Sequence, residues 1–186
     1  MLERAAGSER GRRWLGRVVT SVLFAAVLAF LAEGANRPAD PRLEPAAEVP
    51  GLGEVAFRVR PLPRSGVSAG QFCALLARTA EQRARGLAGR RNLAGRDALI
   101  LRFDVDTRST FFMRTIPVAL SIAWFDSAGR FISSTDMAPC PEGGNCPLYV
   151  APRPFRVAVE VPQGGLLRLG IGEGSRIHMG GPCRSG

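Results

Sequence analysis

Between residues 54 and 179 the chain offers eight apolar runs of only five to seven residues, most of them closed by Gly, Pro or Asp. Runs that short cannot build helices of ordinary length, but they match the length of strands. They are EVAFRVR (54–60), QFCALLA (71–77), ALILRF (98–103), STFFMR (109–114), ALSIAWF (119–125), RFISST (130–135), FRVAVEV (155–161) and SRIHM (175–179). ALILRF is apolar throughout, which predicts a strand covered on both faces. ALSIAWF and RFISST flank the turn DSAG and read as a hairpin. One helix is signalled by Thr79 with Gln82 three residues on, a capping-box pattern that Gly86 terminates. A second helical turn is expected in GGLLRLG (164–170). The fold class is therefore mainly β, with some α+β character: an antiparallel sandwich or partial barrel carrying one or two short helices.

The N-terminus obeys a different rule. Arg-rich ERGRRWLGR precedes fifteen uncharged apolar residues, Val18 to Ala32. A basic lead, an apolar stretch and then small residues form the order of an export signal. Fifteen residues fall short of the roughly 17–25 that a spanning helix needs. Residues 1–34 are thus expected to be a cleaved export signal or an uncleaved membrane anchor. Residues 35–53, rich in Pro, Ala and charge, read as a disordered tether. The globular domain is expected over 54–179, followed by a flexible tail over 180–186. Either fate of the signal places the domain outside the cytoplasm, membrane-anchored on the outer face or secreted.

Charge narrows the partners. The chain carries a formal net charge of +9 and has no lysine, so every strong base is Arg. Residues 51–186 hold eighteen Arg against ten acids, a field that favours anionic surfaces. Arg83, Arg85, Arg90 and Arg91 cluster in RTAEQRARGLAGRRNLAGR and form a candidate face for an anionic lipid or wall polymer. That cluster lacks the interleaved aromatic rings of a single-strand reader, so no nucleic-acid partner is expected. P-loop and H-E-x-x-H patterns are missing from the sequence, and no cofactor is expected.

The four cysteines divide into two cases. Cys140 and Cys146 sit six positions apart among Pro141, Gly143, Gly144 and Pro147. They could be a staple, free thiols or metal ligands. Export and turn chemistry favour the disulfide, and the Cys and His inventory is thin for a zinc site. Cys73 reads as a buried core thiol, and Cys183 as free or available to a second molecule. The remaining candidates for chemistry are His178, the single histidine of the chain, and the carboxylates Asp104, Asp106 and Asp136. Asp104 and Asp106, two apart at a strand end, share one face. An Asp or Cys acting with His178 would make a hydrolase.

Several ordered segments are similar to the DUF 192 family. EQRARGLAGRRNL resembles its E-R-x-x-G-L-M-x-R-x-x-L, and DALILRF its G-M-L-F-x-F. STFFMRTIPVALSIAWFDSAGRF resembles S-F-W-M-K-N-T-x-I-P-L-D-I-x-F-I-D-x-x-G-x-I. APCPEGGNCPLY resembles P-C-x-x-x-x-C-P-x-Y, and VEVPQGGLLRLGIGEGSRI resembles L-E-L-P-A-G-x-x-x-x-G-I-x-x-G-D-x-V. The resemblance implies one mostly-β domain, often exported, with no established activity. The chain departs from the pattern at Ala88, Phe112, Thr115, Ala119 and Ser121, where the family carries Met, Trp, Asn, Pro and Asp. Phe112, Arg114, Thr115 and Ser121, with Tyr149 from the stapled loop, are the candidate lining of a shallow groove. The expected function is a non-catalytic binding module of the cell envelope. Its partners would be a small ligand or envelope component, and the membrane if the N-terminal segment is retained.

Overall fold

The computed structural model describes residues 50–60, 70–141 and 143–183. The export segment (1–34) and most of the tether (35–49) lie outside the described residues, as do residues 184–186 of the tail. Among the described residues no helix is long and apolar enough to cross a membrane.

Seven strands form, in chain order β1 (Gly53–Arg60), β2 (Gln71–Ala77), β3 (Ala98–Thr107), β4 (Leu120–Phe125), β5 (Phe131–Met137), β6 (Phe155–Pro162) and β7 (Arg176–Met179). A helix α1 (Ala80–Arg85) joins β2 to β3, and a single turn α2 (Gly165–Arg168) follows β6. All strands enter one sheet in the order β5-β4-β6-β3-β2-β1-β7. Every neighbouring pair is antiparallel except β2 and β3, which run parallel. A parallel pair needs a crossover, and α1 with its following loop supplies it.

The sheet curls into a half-barrel. Its two outer strands approach at one corner, where the Phe131 amide donates to the Ser175 carbonyl at 3.1 Å and the Ile177 amide to the Gly129 carbonyl at 2.9 Å. Gly129 is required there: its φ is +72°, and a Cβ would stand 2.2 Å from the Ile177 carbonyl oxygen. Of the two architectures expected, the partial barrel is the one formed.

Alternation along the strands feeds two cores. From β4, Leu120, Ile122 and Trp124 pack on one face with Leu99, Leu101, Phe155 and Ala158. Ala123 and Phe125 pack on the other with Phe57, Val159, Val161 and α2's Leu166. Ala98–Leu101 are buried throughout, as a strand covered on both faces must be.

Two expectations are corrected. STFFMR joins no strand of the sheet. Phe111 and Arg114 make only single bridging pairs, with Tyr149 and Cys140. The backbone turns at Met113–Ile116, and Thr115 sits at φ +63°. Its apolar alternation is real, with Phe111 and Met113 buried, but it serves a loop laid across the sheet.

Cys73 is not a lone core thiol, and Cys183 is not free: the two form a disulfide with Cα atoms 5.3 Å apart. β7 pairs with the outer edge of β1, and the chain continues along it. The Gly180 amide donates to the Ala56 carbonyl, and the Ala56 amide to the Gly181 carbonyl. Because Ala56 also faces Cys73 across β1 and β2, this path delivers Cys183 to Cys73. Residues 180–183 are therefore held by hydrogen bonds and a covalent bond. The expected Cys140–Cys146 disulfide is present, with Cα atoms 5.5 Å apart.

Candidate functional site

A cavity of about 490 Å³ opens over one face of the sheet, between α1 and the loop 109–116. Each wall has its own local cause. The helix has only six residues and buries none of them, so packing alone cannot hold it. It is instead nucleated by the capping box: the Gln82 amide donates to Thr79 Oγ1 at 3.1 Å, and the Thr79 amide to Gln82 Oε1 at 3.0 Å. Arg83 then ties the helix to β3. Its guanidinium donates to the Arg102 carbonyl at 2.9 Å and lies 4.5 Å from the centre of the Phe103 ring, a cation–π contact.

The opposite wall is braced by the stapled loop. Phe111 and Tyr149 exchange backbone hydrogen bonds at 2.9 Å in both directions. Phe111 packs on Trp124 and Phe155 with ring centres 6.0 and 5.8 Å away. The Tyr149 hydroxyl accepts from the Ala138 amide at 3.1 Å. Arg114 pairs with Cys140 itself, so the Cys140–Cys146 bond supports this wall at two points. Arg114 also lies 5.9 Å over the Phe112 ring.

Leu101, Phe103, Phe111 and Ile116 make the cavity apolar, and Arg83, Arg85 and Arg114 place positive charge on its walls. None of these three arginines pairs with a carboxylate among the described residues. At the sheet stands Glu160 of β6, only 5% exposed yet part of the lining. Burial pushes its carboxyl from the ordinary 4.5 up to about 7. Withdrawal from water penalises the charged form.

The expected groove residues separate. Phe112, Arg114 and Thr115 line the cavity together. Tyr149 stays behind the wall as its brace. Ser121 lies on the other face of the sheet, where its hydroxyl donates to Asp136 Oδ1 and accepts from the Gly164 amide at 3.0 Å. Asp136 also accepts from Gln163 at 3.0 Å. The Ser121 and Gln163 hydrogen bonds hold its carboxyl below the usual range. Of the basic cluster, Arg83 and Arg85 reach the cavity, whereas Arg90 and Arg91 lie in the loop after α1 and are not in its lining.

Of the hydrolase candidates, His178 and Asp104 are brought together and the others are not. His178 and Asp104 share a smaller cavity of about 310 Å³ with Asp126, and Asp136 is not in that lining. Asp106 is ion-paired with Arg156 at 2.9 Å. All four cysteines are oxidised, so none offers the thiolate that nucleophilic attack requires.

Glu160 was not among the residues singled out from sequence. In FRVAVEV the large apolar residues fall on alternate positions, which marks Glu160 as solvent-facing. A second layer, α1 and residues 109–116, covers that face.

A family model matches residues 64–179, more than half of the chain, and its description is DUF192, Uncharacterized ACR. The chain belongs to the DUF192 family. Two solved structures share the fold of this DUF192 member. One is a protein from Sinorhizobium meliloti 1021 described as a candidate transcription regulator, 21% identical with a TM-score of 0.59, covering 72% of this chain and 98% of that one. The other is a protein of unknown function from Novosphingobium aromaticivorans DSM 12444, 25% identical with a TM-score of 0.59, covering 77% of this chain and 99% of that one. No curated protein matches the chain.

Proposed function

We propose that this DUF192 protein is an exported, non-catalytic binding module of the cell envelope that takes a small, largely apolar ligand into the cavity between α1 and residues 109–116. The observation that carries the reading is the preformed cavity: apolar surface with a few polar groups, held open by walls with independent supports. Its volume falls within the roughly 300–1,000 Å³ of small-molecule sites. Two disulfides suit an oxidising compartment, and the basic-then-apolar N-terminus supports export, with membrane tethering where that segment is retained. A binding rather than catalytic role is supported by the oxidation of all four cysteines and by the absence of Asp136 from the cavity that His178 and Asp104 line.

The test uses the full-length chain made in a host that exports it. Native mass spectrometry of the purified protein should show a retained mass that Ala84→Trp, which fills the cavity, removes. Turnover in a broad substrate screen that His178→Ala abolishes without unfolding would instead make the protein an enzyme.

A further inference from the structure

The polarity of the cavity is not random. At the sheet, Glu160 is nearly buried, has no ion pair among the described residues, and lines the cavity. A carboxyl with so little access to water is stabilised by a donor, and the cavity it lines has room for one. On the walls, Arg83, Arg85 and Arg114 bring positive charge without carboxylate partners, two of them steadied over Phe rings. Apolar surface from Leu101, Phe111 and Ile116 lies in the same lining. A simple anion would leave the Glu160 carboxyl without a partner, and a simple cation would meet three arginines.

We infer that the cavity takes a zwitterionic ligand of short-peptide type, whose ammonium group is received by Glu160 and whose carboxylate is received by the arginines, with an apolar side chain between them. This deepens the binding-module reading and rests on it. An arriving ammonium favours the ionised carboxylate, so binding near neutral pH should expel the proton that burial holds on Glu160. The charged groups facing that event are Arg83 and Arg85 from α1 and Arg114 from the opposite wall.

The experiment titrates the full-length protein with the dipeptide Ala-Phe, its N-acetyl derivative and its C-terminal amide. Calorimetry is run at pH 7 in two buffers of different ionisation heat. The free dipeptide should bind with proton release. Acetylation should weaken it at least tenfold and amidation about fivefold. Glu160→Gln should erase the preference for a free amine, and Arg114→Gln the preference for a free carboxylate. The inference is overturned if the acetylated dipeptide binds as well as the free one, or if Glu160→Gln leaves the preference intact. A fluorescent naphthalene sulfonate separates the two levels. If this probe binds in a manner abolished by Ala84→Trp while no dipeptide displaces it, the zwitterion inference fails and the ligand cavity stands. If neither probe nor dipeptide binds, both fail.

Discussion

Replacing Glu160 by Gln should abolish a pH dependence that the wild-type fold carries between pH 4.5 and 7. In the unfolded chain this carboxyl loses its proton near its ordinary 4.5, but in the fold it keeps the proton up to about 7. Between those values the folded state binds more protons, so stability falls as pH rises. The contribution is fully present below 4.5 and gone above 7. Each tenfold difference in proton affinity is worth about 1.4 kcal/mol, so the whole loss is on the order of 3 to 4 kcal/mol, most of it between pH 5 and pH 8. For a domain of this size that is on the order of 10 °C in Tm. Asp136 does not confuse the window. Its carboxyl is held below 3.8, so the stability it contributes is present above that value and lost only as pH falls further. Urea melts of ligand-free wild type and Glu160→Gln at pH 5 and pH 8 decide the matter. The variant should lose far less stability over this interval and be the more stable protein at pH 8. Equal losses in both proteins would show that Glu160 is solvated or paired, and the account of the cavity would go with it.

Gly129→Ala should cost at least about 3 kcal/mol in chemical denaturation, because a Cβ 2.2 Å from the Ile177 carbonyl forces the corner of the half-barrel apart. Thr115→Asn should raise stability by about 1 kcal/mol in a thermal melt, since Asn tolerates the left-handed backbone that Thr115 adopts at φ +63°. Removing the Cys73–Cys183 bond by paired Ser substitutions should cost about 5 kcal/mol on the chain-entropy model. The Cys140–Cys146 bond, spanning 6 rather than 110 positions, should cost about 2. Comparable losses in the two double variants would show that loop length does not govern these bonds.

Where the chemistry was local, the sequence spoke clearly. The capping box at Thr79, the strand QFCALLA and the staple between Cys140 and Cys146 depend on neighbours a few residues away, and all three are present. The misreadings share one cause, contacts between distant segments. Phe111 and Met113 alternate as strand residues do, but nothing within STFFMR says whether it joins the sheet or lies over it. Cys73 meets Cys183 only because β7 takes the open edge of β1, a pairing no short window contains. Glu160 alternates as a surface residue and is buried by a layer added from elsewhere. Thr115 stands where the family pattern has Asn, and the left-handed backbone there gives that pattern a physical reason. Ser121 stands where the pattern has Asp, and here the carboxylate comes across the strand pair from Asp136.

The Cys73–Cys183 bond also changes what it means to cut this protein. It closes nearly the whole described domain into one large covalent ring, inside which Cys140–Cys146 closes a small one. A protease that clips any exposed loop between Cys73 and Cys183 opens that ring without dividing the molecule. A clip at the tip of the DSAG turn leaves two stretches still tied to each other end to end, and a clip between Cys140 and Cys146 is spanned twice. Outside the cytoplasm, where proteases are met and thiols stay oxidised, such a chain survives a first cleavage as a single covalent molecule.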